Sequence, residues 1–244
     1  MRRSVFVLVL AFAAALPSVA RAAAPKPKGA FRQLQVGDKW AFITRGIVAQ
    51  GNRIATYSET RQVGVTPETR RSPDGVECRV IAMQTLTYAF GRRDISDSEA
   101  IFTQDQNGTI QIRGRKRSDR PEIQWVVDPK EGGIPDVRSP VSVSDSWTTR
   151  YRMSDDSTGQ QESRVVGTQR IKLPIGTFDC YVVRSHLEES DGLKVVMLDW
   201  YVPELGSQVM TVSLAKTGDG LTFVEAEVMV GSSLARPDSR QAKR

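Results

Sequence analysis

The stretch Thr222-Phe-Val224-Glu-Ala226-Glu-Val228-Met-Val230 alternates side chains so strictly that Val224, Ala226 and Val228 share one face and Glu225 and Glu227 the other. A period of two is the signature of a half-buried β-strand. Similar runs recur along the chain, separated by Gln50-Gly51-Asn52, Asp74-Gly75, Asn107-Gly108, Thr158-Gly159, Asp191-Gly192 and Asp219-Gly220. Such pairs supply the positive φ angles of tight hairpins, so consecutive strands are predicted to pair antiparallel. The helical signal is thin. Residues 92–102 have acids near their start but no lasting 3.6-residue stripe, which allows at most one or two short helices. The predicted fold is all-β: a curved antiparallel sheet, open barrel or β-clam.

The order of landmarks repeats. Val36-Gly-Asp38-Lys-Trp40, Val63-Gly64 and Cys78 are followed later by Val143-Ser-Asp145-Ser-Trp147, Val166-Gly167 and Cys180. Trp-to-Gly spacings of 24 and 20 residues, and Trp-to-Cys spacings of 38 and 33, differ by no more than a change of loop length. Two related halves are expected, residues 31–127 and 137–235, within a single β domain. Pro129, Gly132, Gly133, Pro135 and Pro140 mark the connector between them.

The ends alter this picture. Arg2 and Arg3, an apolar run from Val5 to Leu16, Pro17 and the small residues around Ala22 form the pattern of a secretory signal peptide over residues 1–22. The run is shorter than the ~20 residues a membrane-spanning helix needs. A periplasmic or secreted chain, cut near Ala22 and not spanning the membrane, is expected, with a leader over residues 23–30. Much of the formal charge of +6 lies in these ends and in residues 236–244, read as a disordered basic tail. Without them residues 29–235 carry about −2, so net charge gives no reason to expect nucleic acid. One internal basic run remains, Arg113-Gly-Arg115-Lys116-Arg117-Ser-Asp-Arg120, either a solvated loop or a grip for an acidic partner. Cys78 and Cys180 would sit where disulfides persist. They pair if the two halves bring them to a common axis, and otherwise remain two small buried thiols.

Candidate chemistry is sparse. His186 is the single histidine, so a multi-histidine metal site is excluded, and the chain has no Gly-x-Ser-x-Gly elbow, phosphate loop or dinucleotide fingerprint. No catalytic residue, metal ligand or cofactor is assigned. Paired carboxylates remain a route to polysaccharide hydrolysis, with Asp94, Asp97 and Glu99, Asp155 and Asp156, and Glu188 and Glu189 as candidates. For binding, Trp40, Trp147, Trp200 and Tyr201 are the aromatic candidates to line a groove, against the alternative that they are core.

Val36-Gly-Asp-Lys-Trp40, Leu173-Pro-Ile-Gly-Thr-Phe-Asp-Cys180 and Trp200-Tyr-Val-Pro-Glu-Leu-Gly206 together resemble a group of exported bacterial all-β proteins of unknown function. The resemblance spans roughly residues 31–230 and implies a curved sheet or open barrel, similar in style to periplasmic lipoprotein carriers. It implies a non-catalytic binding or scaffolding role toward a lipid, a glycan or another envelope protein. Ser144, standing where the first half has Gly37, departs from the motif.

Overall fold

The computed structural model of the chain describes residues 30–127 and 133–234. The expected signal peptide and basic tail, and most of the leader, lie outside these residues. Among the described residues thirteen strands follow one another without a helix: β1 (Lys39–Gln50), β2 (Arg53–Arg71), β3 (Glu77–Ala89), β4 (Arg92–Gln104), β5 (Ile110–Arg117), β6 (Arg120–Val127), β7 (Ile134–Pro135), β8 (Ser146–Met153), β9 (Thr158–Leu173), β10 (Gly176–Glu189), β11 (Lys194–Val202), β12 (Ser207–Lys216) and β13 (Thr222–Ser233). The 92–102 stretch is strand, paired from end to end with β3.

Every pairing is antiparallel, and the order β4-β3-β2-β1-β13-β12-β11-β10-β9-β8-β6-β5 closes through β4–β5 into a twelve-stranded barrel, with β7 added beside β5. Closure removes the exposed edges that an open sheet would present. The ring consists of two six-stranded meanders. One joint, β1–β13, is long, with eleven residue pairs. The other, β6–β8, has two, Val126 with Met153 and Val127 with Arg152.

Turn chemistry explains most of the corners. Gly51, Gly75, Gly108, Gly192 and Gly220 all take positive φ. Thr158-Gly159 does not form a turn but opens β9, and Asp156 supplies the positive φ of that corner. Each meander begins the same way. Val65 donates its N–H to the Asp38 carbonyl and accepts from the Gly37 N–H, and Val165 does the same with Asp145 and Ser144. Ser144, at φ 81°, adopts the conformation Gly37 takes at 93°. By this bonding Val65 corresponds to Val165, so Val63-Gly64 and Val166-Gly167 do not occupy matching positions.

The register decides which faces point inward. Phe42, Thr44 and Gly46 of β1 stand opposite Met229, Glu227 and Glu225 of β13, and Thr44 and Glu227 are buried. The buried side of β13 is therefore its glutamate side. Val224, Ala226 and Val228 face outward and are only half-buried. At the end holding the chain entry, apolar packing takes over. A main cluster joins Leu34, Trp40, Phe42, Phe102, Trp200, Val202 and Met229, and a second gathers Phe31, Val137, Val141, Trp147, Val183 and Tyr201.

Both thiols are free and buried, and the disulfide is not formed. Cys78 lies with Val80 and Ile101, whereas Cys180 belongs to the main cluster. Their strands, β3 and β10, are six apart in the ring of twelve, so the wall of the barrel keeps them on opposite sides.

Candidate functional site

The inner face is polar, and its carboxylates are held by neighbouring donors. Tyr57 lies across Gly46, where an added Cβ would come within 2.5 Å of the ring, and donates to Glu225. Ser213 also donates to Glu225, at 3.0 Å. Arg61 pairs with Glu227, which accepts from Thr44 as well. Asp199 accepts from Thr211 at 2.6 Å. Farther round, Glu189 accepts from Tyr151 at 2.6 Å and from Arg115 at 3.3 Å. Burial shifts these groups. It raises Asp199 to about 7, helped by the charges of Asp136 and Glu227 and opposed by the Thr211 hydrogen bond. Burial also raises Glu227, with Arg61 pulling the other way, and raises Asp136 beside Tyr201.

The opposite face of the first meander is different. On β1 to β4 it carries Ala41, Gly64 and Ala82 as a floor of small side chains, continued by Gly231 of β13. Ala41 stands opposite Gly231, Gly64 opposite Ala82, and Ala82 opposite Glu99. The β5–β6 corner, with Lys116, Arg117, Arg120 and Pro121, forms another wall. Together they bound a groove of about 1130 Å³. A Cβ on Gly64 would meet the Asp38 carbonyl at 3.6 Å and Lys39 Cγ at 3.7 Å, both ordinary contacts, so sterics leave room for a side chain here. Trp40 borders the groove and is buried, and its indole N–H meets no acceptor.

Of the aromatic candidates, Trp40 alone borders this groove. Trp147 and Tyr201 are buried in the second cluster, Tyr201 donating to Asp136 at 3.2 Å. Trp200 is buried in the main cluster and donates to Gln169 at 2.8 Å.

The acidic candidates scatter. Asp97 and Glu99, two residues apart on one face of β4, both line the groove, while Asp94 falls on the other face. Asp97 accepts from Gln84 at 3.1 Å, and Glu99 is held by Arg70 and Lys116. Asp155 is engaged by Arg120 and Gln124, Asp156 is exposed, and Glu188 pairs with Lys194 at 3.0 Å. His186 is exposed on β10. Among the described residues no three His, Cys, Asp or Glu side chains gather as a metal set.

The basic run is not a free loop. It forms β5 and the start of β6, and each of its cations has an acidic partner: Arg113 with Asp74, Arg115 with Glu189, Lys116 with Glu99, Arg117 with Asp119 and Arg120 with Asp155. Paired charges leave little field for a phosphate. The Arg113 hydrogen bond is the main cause holding Asp74 at about 2.

The groove floor is not legible in the sequence, because Ala41, Ala82 and Gly231 carry no chemical signal until register brings them together.

No protein-family model matches the chain, and no curated protein matches it. Two solved structures are similar over 84% of this chain at 12% identity. One is a candidate exported protein with a YmcC-like fold from Bacteroides fragilis, covered over 100% of its length at a TM-score of 0.38. The other is a candidate lipoprotein from Parabacteroides distasonis, covered over 99% at 0.37.

Proposed function

We propose that this chain is an exported protein of the bacterial cell envelope that binds or scaffolds a ligand without converting it, and that the groove over β1–β5 is where the ligand sits. The observation that carries this reading is the groove itself: about 1130 Å³ of space over Ala41, Gly64 and Ala82, rimmed by charged side chains. Ligand sites combine apolar lining with a few polar groups that fix orientation. On the inner face the carboxylates of Glu225, Glu227, Asp199 and Glu189 are already engaged by neighbouring donors, which leaves them less free for a ligand. Export rests on the N-terminal pattern of Arg2 and Arg3, the apolar run and Ala22. A lipid, a glycan or a segment of another envelope protein fits the shape.

A second reading keeps Asp97 and Glu99 as a carboxylate pair in the same groove, acting on an envelope polysaccharide. Glu99 already holds two cations, which favours a binding role for it over an acid-base one.

The test is native mass spectrometry of protein purified from the periplasm, compared with Gly64→Leu and Ala82→Trp, each of which places bulk on the floor. The expected result is an extra mass on the native chain that both variants lose while their urea midpoints hold. A bare polypeptide mass, or variants that retain the ligand, would overturn the groove. Turnover of an envelope polysaccharide abolished by Asp97→Asn would favour the second reading.

A further inference from the structure

The hairpin joining β3 to β4 breaks the turn chemistry that most corners follow. Ala89 pairs with Arg92, leaving Phe90 and Gly91 as a two-residue loop with φ of 52° and 71°. Positive φ at both positions is the geometry that Asn-Gly or Asp-Gly fills cheaply, and a bulky residue there is a steric outlier. The other non-glycine residues with positive φ among the described residues are Ser144 and Asp156, both small and polar. Phe90 is therefore disfavoured twice, by its backbone and by its ring, which is 72% exposed. Nothing in the fold is gained from it. Strain kept without a structural return points to function.

Its neighbours share the character. Tyr88 and Ile95, 49% and 54% exposed, lie on the outer face of the same hairpin, and Ile54, 56% exposed, follows on the outer face of β2. Arg92 and Arg93 are exposed beside them, and neither has an acidic partner among the described residues. Arg93 shares the outer face with Tyr88 and Ile95, whereas Arg92, next to the loop, and Asp94 lie on the other face of the hairpin, Asp94 opposite Thr87.

We propose that this hairpin tip is a membrane-surface contact: Phe90, Tyr88 and Ile95 enter the headgroup region of a bilayer while Arg92 and Arg93 pair with anionic headgroups. Aromatic rings that combine an apolar body with an interfacial position, and cations at the surface of acidic lipid, are the two forces such contacts use. The contact is separate from the groove, and each can fail without the other.

The test is co-sedimentation of the chain, purified from an exporting host with its N-terminus defined by mass spectrometry, with phosphatidylglycerol-containing and pure phosphatidylcholine vesicles. The native chain should prefer the acidic vesicles, and added salt should weaken it. Phe90→Asn should reduce binding by about tenfold or more through lost apolar burial, with a melting temperature equal to or above the native one, since Asn suits the turn. Arg92→Gln and Arg93→Gln should cost about fivefold each. No sedimentation with acidic vesicles, or variants that bind like the native chain, would overturn the proposal. So would self-association that Phe90→Asn abolishes in the absence of lipid binding, because the tip would then be a protein contact.

Discussion

Asp199 is a carboxyl whose charge the fold resists. It is buried, accepts one hydrogen bond from Thr211, and shares the inner face with Glu227, so its folded-state value near 7 stands above the ~3.9 of an unfolded aspartate. A raised acid binds its proton more tightly in the folded state, and its stabilising contribution is complete below the unfolded value and lost as pH rises toward 7. Asp199→Asn is therefore expected to be more stable than the native chain near pH 8, by an amount on the order of a few kcal/mol. The gap should close toward pH 4. Urea midpoints of both proteins across that interval check this, and equal slopes would contradict it. Gly46 raises a different issue. Tyr57 crosses the backbone at Gly46 to reach Glu225, in the manner of an aromatic shielding a strand glycine. Gly46→Ala would drive a methyl into that ring and is expected to cost about 1–3 kcal/mol in chemical denaturation.

Among the strands, length and pairing set a hierarchy. β9 and β10 share fourteen residue pairs, whereas β6 and β8 share two. Local opening follows the density of such contacts. Hydrogen exchange of the β6 and β8 amides at their joint should be faster than in the middle of β9 and β10, and equal protection would show that side chains hold the joint. The strands themselves were legible in the sequence wherever alternation and a Gly-containing corner coincided, as at 222–233 and around Asp191-Gly192. They were less legible where chemistry and geometry diverged. Residues 92–102 left room for a short helix through the acids near their start, and Asp94 and Asp97 instead fall on the two faces of β4. Asn-Gly logic had no means of locating a corner built on Phe90.

For the molecule as a whole, three features depend on contacts between distant parts of the chain. The basic run could be read as a solvated loop or as a grip for an acidic partner because some of its partners are remote: Arg120 finds Asp155, 35 residues away, and Arg115 finds Glu189, 74 away. The groove forms only when Ala41, Gly64, Ala82 and Gly231 are brought side by side across four strands. Closure itself depends on β1 meeting β13 and β6 meeting β8. The predicted lipid preference of the hairpin tip and the predicted ligand in the groove belong to this scale, since each needs surfaces assembled from several strands.

By itself the sequence determined the strand period, the sites of most corners and hence an antiparallel all-β chain, because alternation and turn chemistry act over a few neighbouring residues. It could not decide which face of a strand turns inward. An alternating pattern reads the same when the strand is flipped, and in β13 the structure turns Glu225 and Glu227 inward against Tyr57, Arg61 and Thr44 while Val224 and Val228 face out. That choice follows from the hydrogen bonds and ion pairs available across the closed barrel. Only tertiary structure creates them.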